Sequence, residues 1–143
     1  MTAVLFAALV LLPVDDAKLP PSEFTAAGHT KDTLKVVQKR VKDKQAILLD
    51  VREKPEWEDG HLKHAKSLPM SVVRSGKLSK AQKKLLPKGK PIYLHCFSGG
   101  RVLAVSKMLK DKGYDIRPLK AGYPALVEAG FEKAKPAPPA ETP

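Results

Sequence analysis

Two uninterrupted apolar runs, residues 46–51 (AILLDV) and 91–96 (PIYLHC), are the features that most constrain the fold. A continuous apolar run, rather than an alternating one, is typical of a strand buried on both faces of a parallel sheet. Ahead of the first run, Leu34, Val37 and Val41 fall on one face of a predicted helix. Strands that alternate with helices predict an α/β layered fold with a mainly parallel sheet.

Cap and turn residues predict the remaining elements. The first helix is expected to begin at a Thr30 cap with Asp32 in its first turn, and a short helix beginning at Pro55 carries Trp57. The other predicted elements are a strand at 67–70, a helix from Ser79 that ends before Pro87, a helix at 101–112 closed by Gly113, a strand at 115–119 and a helix at 124–129.

The loop after the second run, Cys96-Phe-Ser-Gly-Gly-Arg101, contains the single cysteine of the chain. Ligands of open α/β sheets bind at the carboxyl ends of strands, where helix N-termini present free N–H groups. Gly99 and Gly100 allow the backbone to form an anion-binding nest, and Arg101 adds a cation. This setting favours the thiolate form of Cys96 and predicts that it is a nucleophile.

The cysteine and the histidines of the chain also allow other interpretations. Cys96 could be a core residue that ends a buried strand, although the Gly-Gly-Arg sequence that follows argues against it. His95 precedes Cys96 on a strand and is expected to point to the opposite face, which argues against a Cys–His hydrolase. His61 and His64 lack the spacing and acidic partner of a metalloprotease helix. No metal site is predicted.

The net charge of the chain favours anionic partners but does not identify which anion it binds. The formal net charge is +11, from 26 Lys and Arg against 15 Asp and Glu. Such a field attracts anions of every kind. The lysines are spread along the chain, with no known nucleic-acid-binding motif and little aromatic interleaving, so no nucleic-acid partner is predicted.

The 143 residues suit one domain with two appended segments. Residues 1–28 comprise an apolar, uncharged run and a linker. The run is shorter than the roughly 20 residues that span a bilayer, and it resembles the apolar part of a secretory signal. This favours export to the periplasm or the exterior; the alternative is an apolar element packed on a cytoplasmic domain. Residues 29–132 form the domain, and the Pro/Ala-rich residues 133–143 are expected to be disordered.

Four stretches of the domain together resemble a single rhodanese-like domain, the sulfurtransferase fold. They are Leu-Asp-Val-Arg-Glu at 49–53, Glu-Trp-Glu-Asp-Gly-His at 56–61, the cysteine loop at 96–101, and Leu-Lys-Ala-Gly-Tyr at 119–123. The resemblance covers about His29 to Phe131. It implies a three-layer α/β/α architecture around a five-stranded, mostly parallel sheet.

The resemblance also implies an activity. Cys96 would take sulfane sulfur from an anionic donor such as thiosulfate, form a persulfide, and pass the sulfur to cyanide or a thiol, with Arg101 stabilising the departing charge. Sulfur-handling members have six residues from cysteine to arginine, as here, whereas phosphatase and arsenate-reductase relatives have seven. No cofactor is implied. The alternative function is a redox-sensing or sulfur-carrying regulatory module that acts through Cys96 on a protein partner.

Other residues of the site receive supporting roles. Phe97 and Ser98 are expected to line the mouth and, with Gly99 and Gly100, to contact substrate. A pair between Asp50 and Arg52 is expected to brace the loop, whereas Trp57 and Tyr123 are expected in the core. We expect a monomer that acts on a small anionic sulfur donor and a thiol or cyanide acceptor, or on an acceptor protein.

Overall fold

The computed structural model describes residues 19–136 of the chain. The signal-like run and the end of the proline-rich tail therefore lie outside the described residues. The elements, in chain order, are α1 (Leu34–Lys42), β1 (Ile47–Asp50), α2 (Lys54–Asp59), β2 (Ala65–Ser67), α3 (Met70–Ser75), α4 (Lys80–Lys83), β3 (Pro91–His95), α5 (Arg101–Leu109), β4 (Asp115–Pro118) and α6 (Tyr123–Glu128).

The four strands form one sheet in the order β2-β1-β3-β4, and every pairing is parallel. The α/β fold with a parallel sheet is therefore confirmed. The expected fifth strand is not present within residues 19–136. Phe24 and Thr30 pair only as an isolated antiparallel bridge, and one bridge is too short to extend a sheet.

Successive strand residues pack into separate cores on the two faces of the sheet. Leu49 and Leu94 belong to a core that also contains buried residues of α3 and α5. Leu48 and Tyr93 belong to a second core, which contains buried residues of α1 and α6. This is why the strand sequences are apolar throughout, and it produces the three-layer arrangement of helices around the sheet.

The first helix begins three residues later than predicted. Thr33, not Thr30, caps α1 by accepting a hydrogen bond from a backbone N–H of the first turn. The Thr30 hydroxyl instead accepts from the Asp32 N–H at 3.1 Å, in the turn before the helix. Asp32 lies outside the first turn because its carboxylate accepts from the Tyr93 hydroxyl at 2.7 Å and from Arg117 at 2.8 Å.

Two other boundaries differ from the predictions. The strand expected at 67–70 lies at Ala65–Ser67, and the helix α3 begins at Met70, whose N–H donates to the Val51 carbonyl. Helix α5 ends at Leu109 rather than near residue 112, because the backbone leaves the helical region at Lys110, where ψ is 149°. Asp111 then takes a left-handed conformation with φ of 64°. The remaining predicted elements are confirmed to within two residues at their predicted starts.

Candidate active site

The Cys96 sulfur lies at the carboxyl edge of the sheet, in the loop between β3 and α5. Cys96 directly follows the last residue of β3, and Arg101 is the first residue of α5. The Cys96 side chain is only 1% exposed, and the Gly99 N–H donates a hydrogen bond to its sulfur at 3.1 Å. One backbone N–H of the loop therefore points at the thiol, whereas the anion-binding nest of several N–H groups stays a prediction.

Gly99 is required at its position by both conformation and space. Its φ is +86°, and a Cβ at this position would collide with the backbone carbonyl of Lys120. On the other side of this contact, a Cβ on Gly122 would collide with the Phe97 carbonyl. Gly100, in contrast, has no neighbouring atom that a Cβ would meet. The glycines thus let the segment at residues 120–122 pack directly on the cysteine loop.

His29 is a supporting residue that the sequence reasoning did not identify. Its ring Nε2 lies 2.7 Å from the Gly99 carbonyl oxygen, and the side chain is buried. This contact joins the segment before α1 to the cysteine loop across 70 residues of sequence. His29 therefore contacts the carbonyl of Gly99, the same residue whose N–H donates to the Cys96 sulfur.

Arg101 makes a two-point ion pair with Glu56, a residue for which the sequence predicted no role of its own. Arg101 Nη1 and Nη2 donate to the two carboxylate oxygens of Glu56 at 2.6 and 2.8 Å. This pairing raises the pKa of Arg101 and, as the largest cause, lowers the pKa of Glu56 from 4.5 to about 2. The guanidinium is therefore held against α2 at the N-terminal end of α5.

Glu56 also serves the helix that carries it. Its Oε2 accepts from the backbone N–H of Glu53 at 2.9 Å, which completes a reciprocal capping box at the start of α2. The position of Arg101 is thus tied to the local structure of α2. A single sequence offers no signal for this pair, since the two partners are 45 residues apart.

The predicted pair of Asp50 and Arg52 is present, and both side chains are buried. Arg52 Nη2 donates to Asp50 at 2.7 Å and to the Gly60 carbonyl at 2.7 Å. The guanidinium also lies 4.2 Å from the centre of the Tyr123 ring, and the Tyr123 N–H donates to the Cys96 carbonyl. The pair therefore reaches the cysteine loop through Tyr123, which is half-buried beside the second core.

His95 faces Asp50 across the sheet. Its Nε2 lies 3.6 Å from the Asp50 carboxylate, and neither ring nitrogen has a hydrogen-bond partner among residues 19–136. Complete burial, more than any other cause, lowers the pKa of His95, so the ring is neutral at neutral pH. Leu94 and Cys96 both belong to the first core, so His95, which lies between them, projects to the other face, as predicted.

Phe97 and Ser98 border a groove beside the cysteine loop. Phe97 is 54% exposed, and the groove has a volume of about 640 Å³. Thr30, Lys120 and Pro124 are also among its lining residues. The predicted mouth residues thus lie at the surface, next to a space within the roughly 300–1,000 Å³ range of small-molecule sites.

Other predicted features are placed as follows. Trp57 is half-buried and its ring stacks on that of His61 with centroids 3.6 Å apart, while the His61 Nδ1 lies 2.9 Å from the Trp57 carbonyl oxygen. Over residues 19–136, no group of three or more His, Cys, Asp or Glu side chains is arranged to hold a metal ion. In the same range, no helix has the length and apolar character needed to cross a bilayer.

Comparison with known families identifies the family to which the chain belongs. Residues 33–129, more than half of the chain, match the family model of the rhodanese-like domain. The chain belongs to the rhodanese-like domain family. The family thus extends over the whole sheet, the cysteine loop and the segment at residues 120–122 that packs on it.

Two proteins with similar sequences differ in how much of their own length this chain matches. The uncharacterized protein YqhL of Bacillus subtilis (strain 168) is 27% identical over 121 residues, which are 84% of this chain and 86% of the relative. A tRNA sulfurtransferase of Desulfurococcus amylolyticus is 31% identical over 90 residues, 63% of this chain but only 16% of that protein. The match to the second relative is therefore a match to one part of a larger enzyme.

Two solved structures share the fold. The rhodanese-related protein of Thermoplasma volcanium has a TM-score of 0.58 and 24% identity, and the match covers 71% of this chain and 93% of that one. The human single-domain sulfurtransferase TSTD1 has a TM-score of 0.56 and 22% identity, with coverage of 64% and 89%. These two structures show that the chain has the fold of known rhodanese-related proteins.

Proposed function

We propose that this rhodanese-like domain is a sulfurtransferase that takes sulfane sulfur from thiosulfate and passes it to a thiophilic acceptor through a persulfide on Cys96. The observation that carries the proposal is the cradle around the sulfur. A buried thiol accepts a backbone N–H at 3.1 Å inside a six-residue loop that ends at Arg101. The backbone donor of Gly99 and the positive charge of Arg101 at the end of the loop favour a negatively charged sulfur there.

In the first step, the Cys96 thiolate attacks the outer sulfur of thiosulfate. An S–S bond forms between the protein and that sulfur, the original S–S bond of thiosulfate breaks, and sulfite leaves with the electron pair. The product on the protein is a persulfide anion. The Gly99 N–H, which donates to the Cys96 sulfur at 3.1 Å, and the cation of Arg101 at the end of the same loop support this step.

In the second step, the acceptor attacks the terminal sulfur of the persulfide. Cyanide leaves as thiocyanate, or a thiolate leaves as its persulfide, and the electron pair of the broken S–S bond returns to Cys96 as the thiolate. No external oxidant or reductant is consumed.

The test is the intact mass of the reduced protein after incubation with thiosulfate and again after addition of cyanide. We expect a gain of one sulfur atom that cyanide removes, and no gain in Cys96→Ser. Circular dichroism of Cys96→Ser establishes that the variant is folded. A sulfur adduct on folded Cys96→Ser, or no adduct on the reduced wild-type protein, would overturn the proposal. In the second case, rapid alkylation of Cys96 would favour the redox-sensing or sulfur-carrying module instead.

A further inference from the structure

The segment at residues 19–32 is built into the candidate site, although the match to the family model begins only at residue 33. An antiparallel bridge between Phe24 and Thr30 closes a short turn in this segment, and we call the residues from Phe24 to Thr30 the N-terminal turn. From this turn, the His29 ring reaches the Gly99 carbonyl oxygen of the cysteine loop, at 2.7 Å. The family match therefore leaves this contact unexplained.

The N-terminal turn is fixed to the end of the sheet and within itself. The Thr30 N–H donates to the carbonyl of Pro118, the last residue of β4, at 2.8 Å. Inside the turn, the Thr25 N–H donates to the His29 carbonyl at 2.7 Å, and the His29 N–H donates to the Thr25 hydroxyl at 3.1 Å. The His29 ring therefore extends to the loop from a backbone that is held on both sides.

The His29 ring is a hydrogen-bond donor in this contact. A carbonyl oxygen can only accept, so the ring nitrogen Nε2 carries the proton. His29 is 8% exposed, so little water competes for the Gly99 carbonyl. Because Nε2 is engaged with that carbonyl, it is not free to remove the proton of the Cys96 thiol. Through this nitrogen, His29 can influence the sulfur only by way of Gly99.

Gly99 connects the His29 ring to the sulfur. Its carbonyl accepts from His29, and its N–H donates to the Cys96 sulfur at 3.1 Å. A glycine has no Cβ to restrict its backbone dihedral angles, so the direction of its N–H depends on the contacts that hold the residue. Without the bond to His29, the Gly99 carbonyl would be free to turn, and the N–H would be aimed less well at the sulfur.

We propose that His29 is a positioning residue of the sulfur-transfer site, which keeps the Gly99 N–H directed at the Cys96 sulfur by fixing the Gly99 carbonyl. This role rests on the proposed function, in which the sulfur is negatively charged both as the attacking thiolate and as the persulfide. A hydrogen bond to a charged acceptor is stronger than one between neutral groups, so its alignment affects the charged sulfur most. His29 therefore favours the ionised sulfur without contacting it.

The experiment uses two substitutions of His29 in the full chain that differ by one methylene group. In His29→Gln, the side-chain amide nitrogen can occupy about the place of the ring Nε2, whereas the shorter side chain of His29→Asn does not reach the Gly99 carbonyl. Both replacements are polar, and urea unfolding verifies that each variant is folded.

Gln38→Asn is the matched control, because it also shortens a side chain that donates to the carbonyl of a distant glycine. Gln38 Nε2 donates to the Gly130 carbonyl at 2.8 Å. Gly130 follows the end of α6 that is opposite to Tyr123, whose N–H donates to the Cys96 carbonyl. This control therefore removes a comparable bond away from the cysteine loop.

The main measurement is the rate at which iodoacetamide alkylates Cys96 as a function of pH. Cys96 is the single cysteine of the chain, so no other thiol contributes. The midpoint of the curve reports the ionisation of the thiol, whereas the plateau reports access of the reagent, so a weakened donor is distinguished from a loosened loop. The kcat for sulfur transfer from thiosulfate to cyanide is measured in parallel.

We expect the alkylation midpoint of His29→Asn to rise by about one pH unit, which corresponds to about a tenfold loss of ionised thiol below the midpoint. The kcat of this variant at neutral pH should fall by about five- to tenfold. His29→Gln should keep the midpoint within about 0.3 pH unit of wild type, and Gln38→Asn should do the same.

An unchanged midpoint or an unchanged kcat in His29→Asn would overturn the proposal. Equal midpoint shifts in His29→Asn and His29→Gln would also overturn it, because the hydrogen bond would then not be the cause, and so would an equal shift in Gln38→Asn. If the midpoints change as expected but wild-type protein transfers no sulfur from thiosulfate, the proposed function fails while the effect of His29 on the Cys96 sulfur stands.

Discussion

Replacement of Glu56 by Gln tests how the Arg101 guanidinium is held. The change keeps the size of the side chain and its ability to accept one hydrogen bond, but it removes the charge that Arg101 faces at 2.6 and 2.8 Å. The fall of the Glu56 pKa from 4.5 to about 2 corresponds to about 3 kcal/mol of differential interaction. Because the Glu56 and Arg101 side chains are 35% and 28% exposed, solvent screening leaves about 1 kcal/mol of stability.

The pH dependence of this effect follows from the sign of the pKa change. A carboxyl group whose pKa is lower in the folded state contributes its stability above its unfolded value, and that contribution is lost as the pH falls toward the folded value. Glu56 should therefore stabilise the protein fully above about pH 5. More than half of its contribution should be gone by about pH 3.

The assay is urea unfolding of wild type and Glu56→Gln at several pH values, with Glu58→Gln as the matched control. Glu58 lies on the same helix and pairs with Lys54 at 3.5 Å, but both side chains are largely exposed. We expect a loss of about 1 kcal/mol for Glu56→Gln at neutral pH and less than about 0.5 kcal/mol for the control. A Glu56→Gln protein as stable as wild type at pH 7, or a difference that does not shrink in acid, would refute the reasoning.

The same variant separates two effects on the proposed reaction. Without Glu56, the guanidinium is no longer oriented, so kcat for sulfur transfer from thiosulfate should fall by about tenfold, which is a barrier increase of about 1.4 kcal/mol. The charge near the loop becomes more positive, so KM for thiosulfate should not rise. An increase in KM at constant kcat would mean that Glu56 acts through substrate binding rather than through the position of Arg101.

Two further predictions concern the loop and the buried histidine. Gly99→Ala should lower the free energy of unfolding by at least about 2 kcal/mol, because the φ of Gly99 is +86° and a Cβ there would collide with the Lys120 carbonyl. The control Gly100→Ala should change the free energy of unfolding by less than about 0.5 kcal/mol, because a Cβ at Gly100 meets no atom. Equal midpoints of urea unfolding for the two variants would contradict this prediction. Since burial lowers the pKa of His95, the unfolded state takes up a proton first as the pH falls below about 6.5, and stability should decline from there. His95→Leu should flatten that decline in urea unfolding between about pH 7.5 and 5.5, and an unchanged slope would exclude the histidine as its source.

Local sequence signals were sufficient for the features that depend on neighbouring residues. The strands Ile47–Asp50 and Pro91–His95 were predicted because each is a continuous apolar run, and such a run has few alternatives to a doubly covered strand. The Ser79 cap was also predicted, because a helix cap involves only near neighbours: the N–H that donates to the Ser79 hydroxyl belongs to Gln82, three residues away. The pairing of Asp50 with Arg52 was also predicted, because the two residues are only two positions apart; it forms in the segment directly after β1, where the Arg52 N–H also donates to the Asp50 carboxylate, rather than on a strand face.

Features with distant partners were not accessible in this way. The contacts of Glu56 with Arg101 and of His29 with Gly99 span 45 and 70 residues, and no periodicity connects the partners. Thr30 was mistaken for the helix cap because Thr33 is equally suitable by residue type. The choice between them was made by Tyr93 and Arg117, which hold Asp32 before the helix begins.

The sequence by itself therefore determined the order of the elements and the position of the single cysteine at the end of a strand, in a loop that leads into a helix. The tertiary structure decided where the Arg101 cation is held and which glycine must remain a glycine. The physical reason is the range of the interactions. Hydrophobic periodicity and caps act between near neighbours in the chain, whereas the Glu56–Arg101 ion pair and the close contact of Gly99 with Lys120 depend on helices and loops that the fold alone brings together.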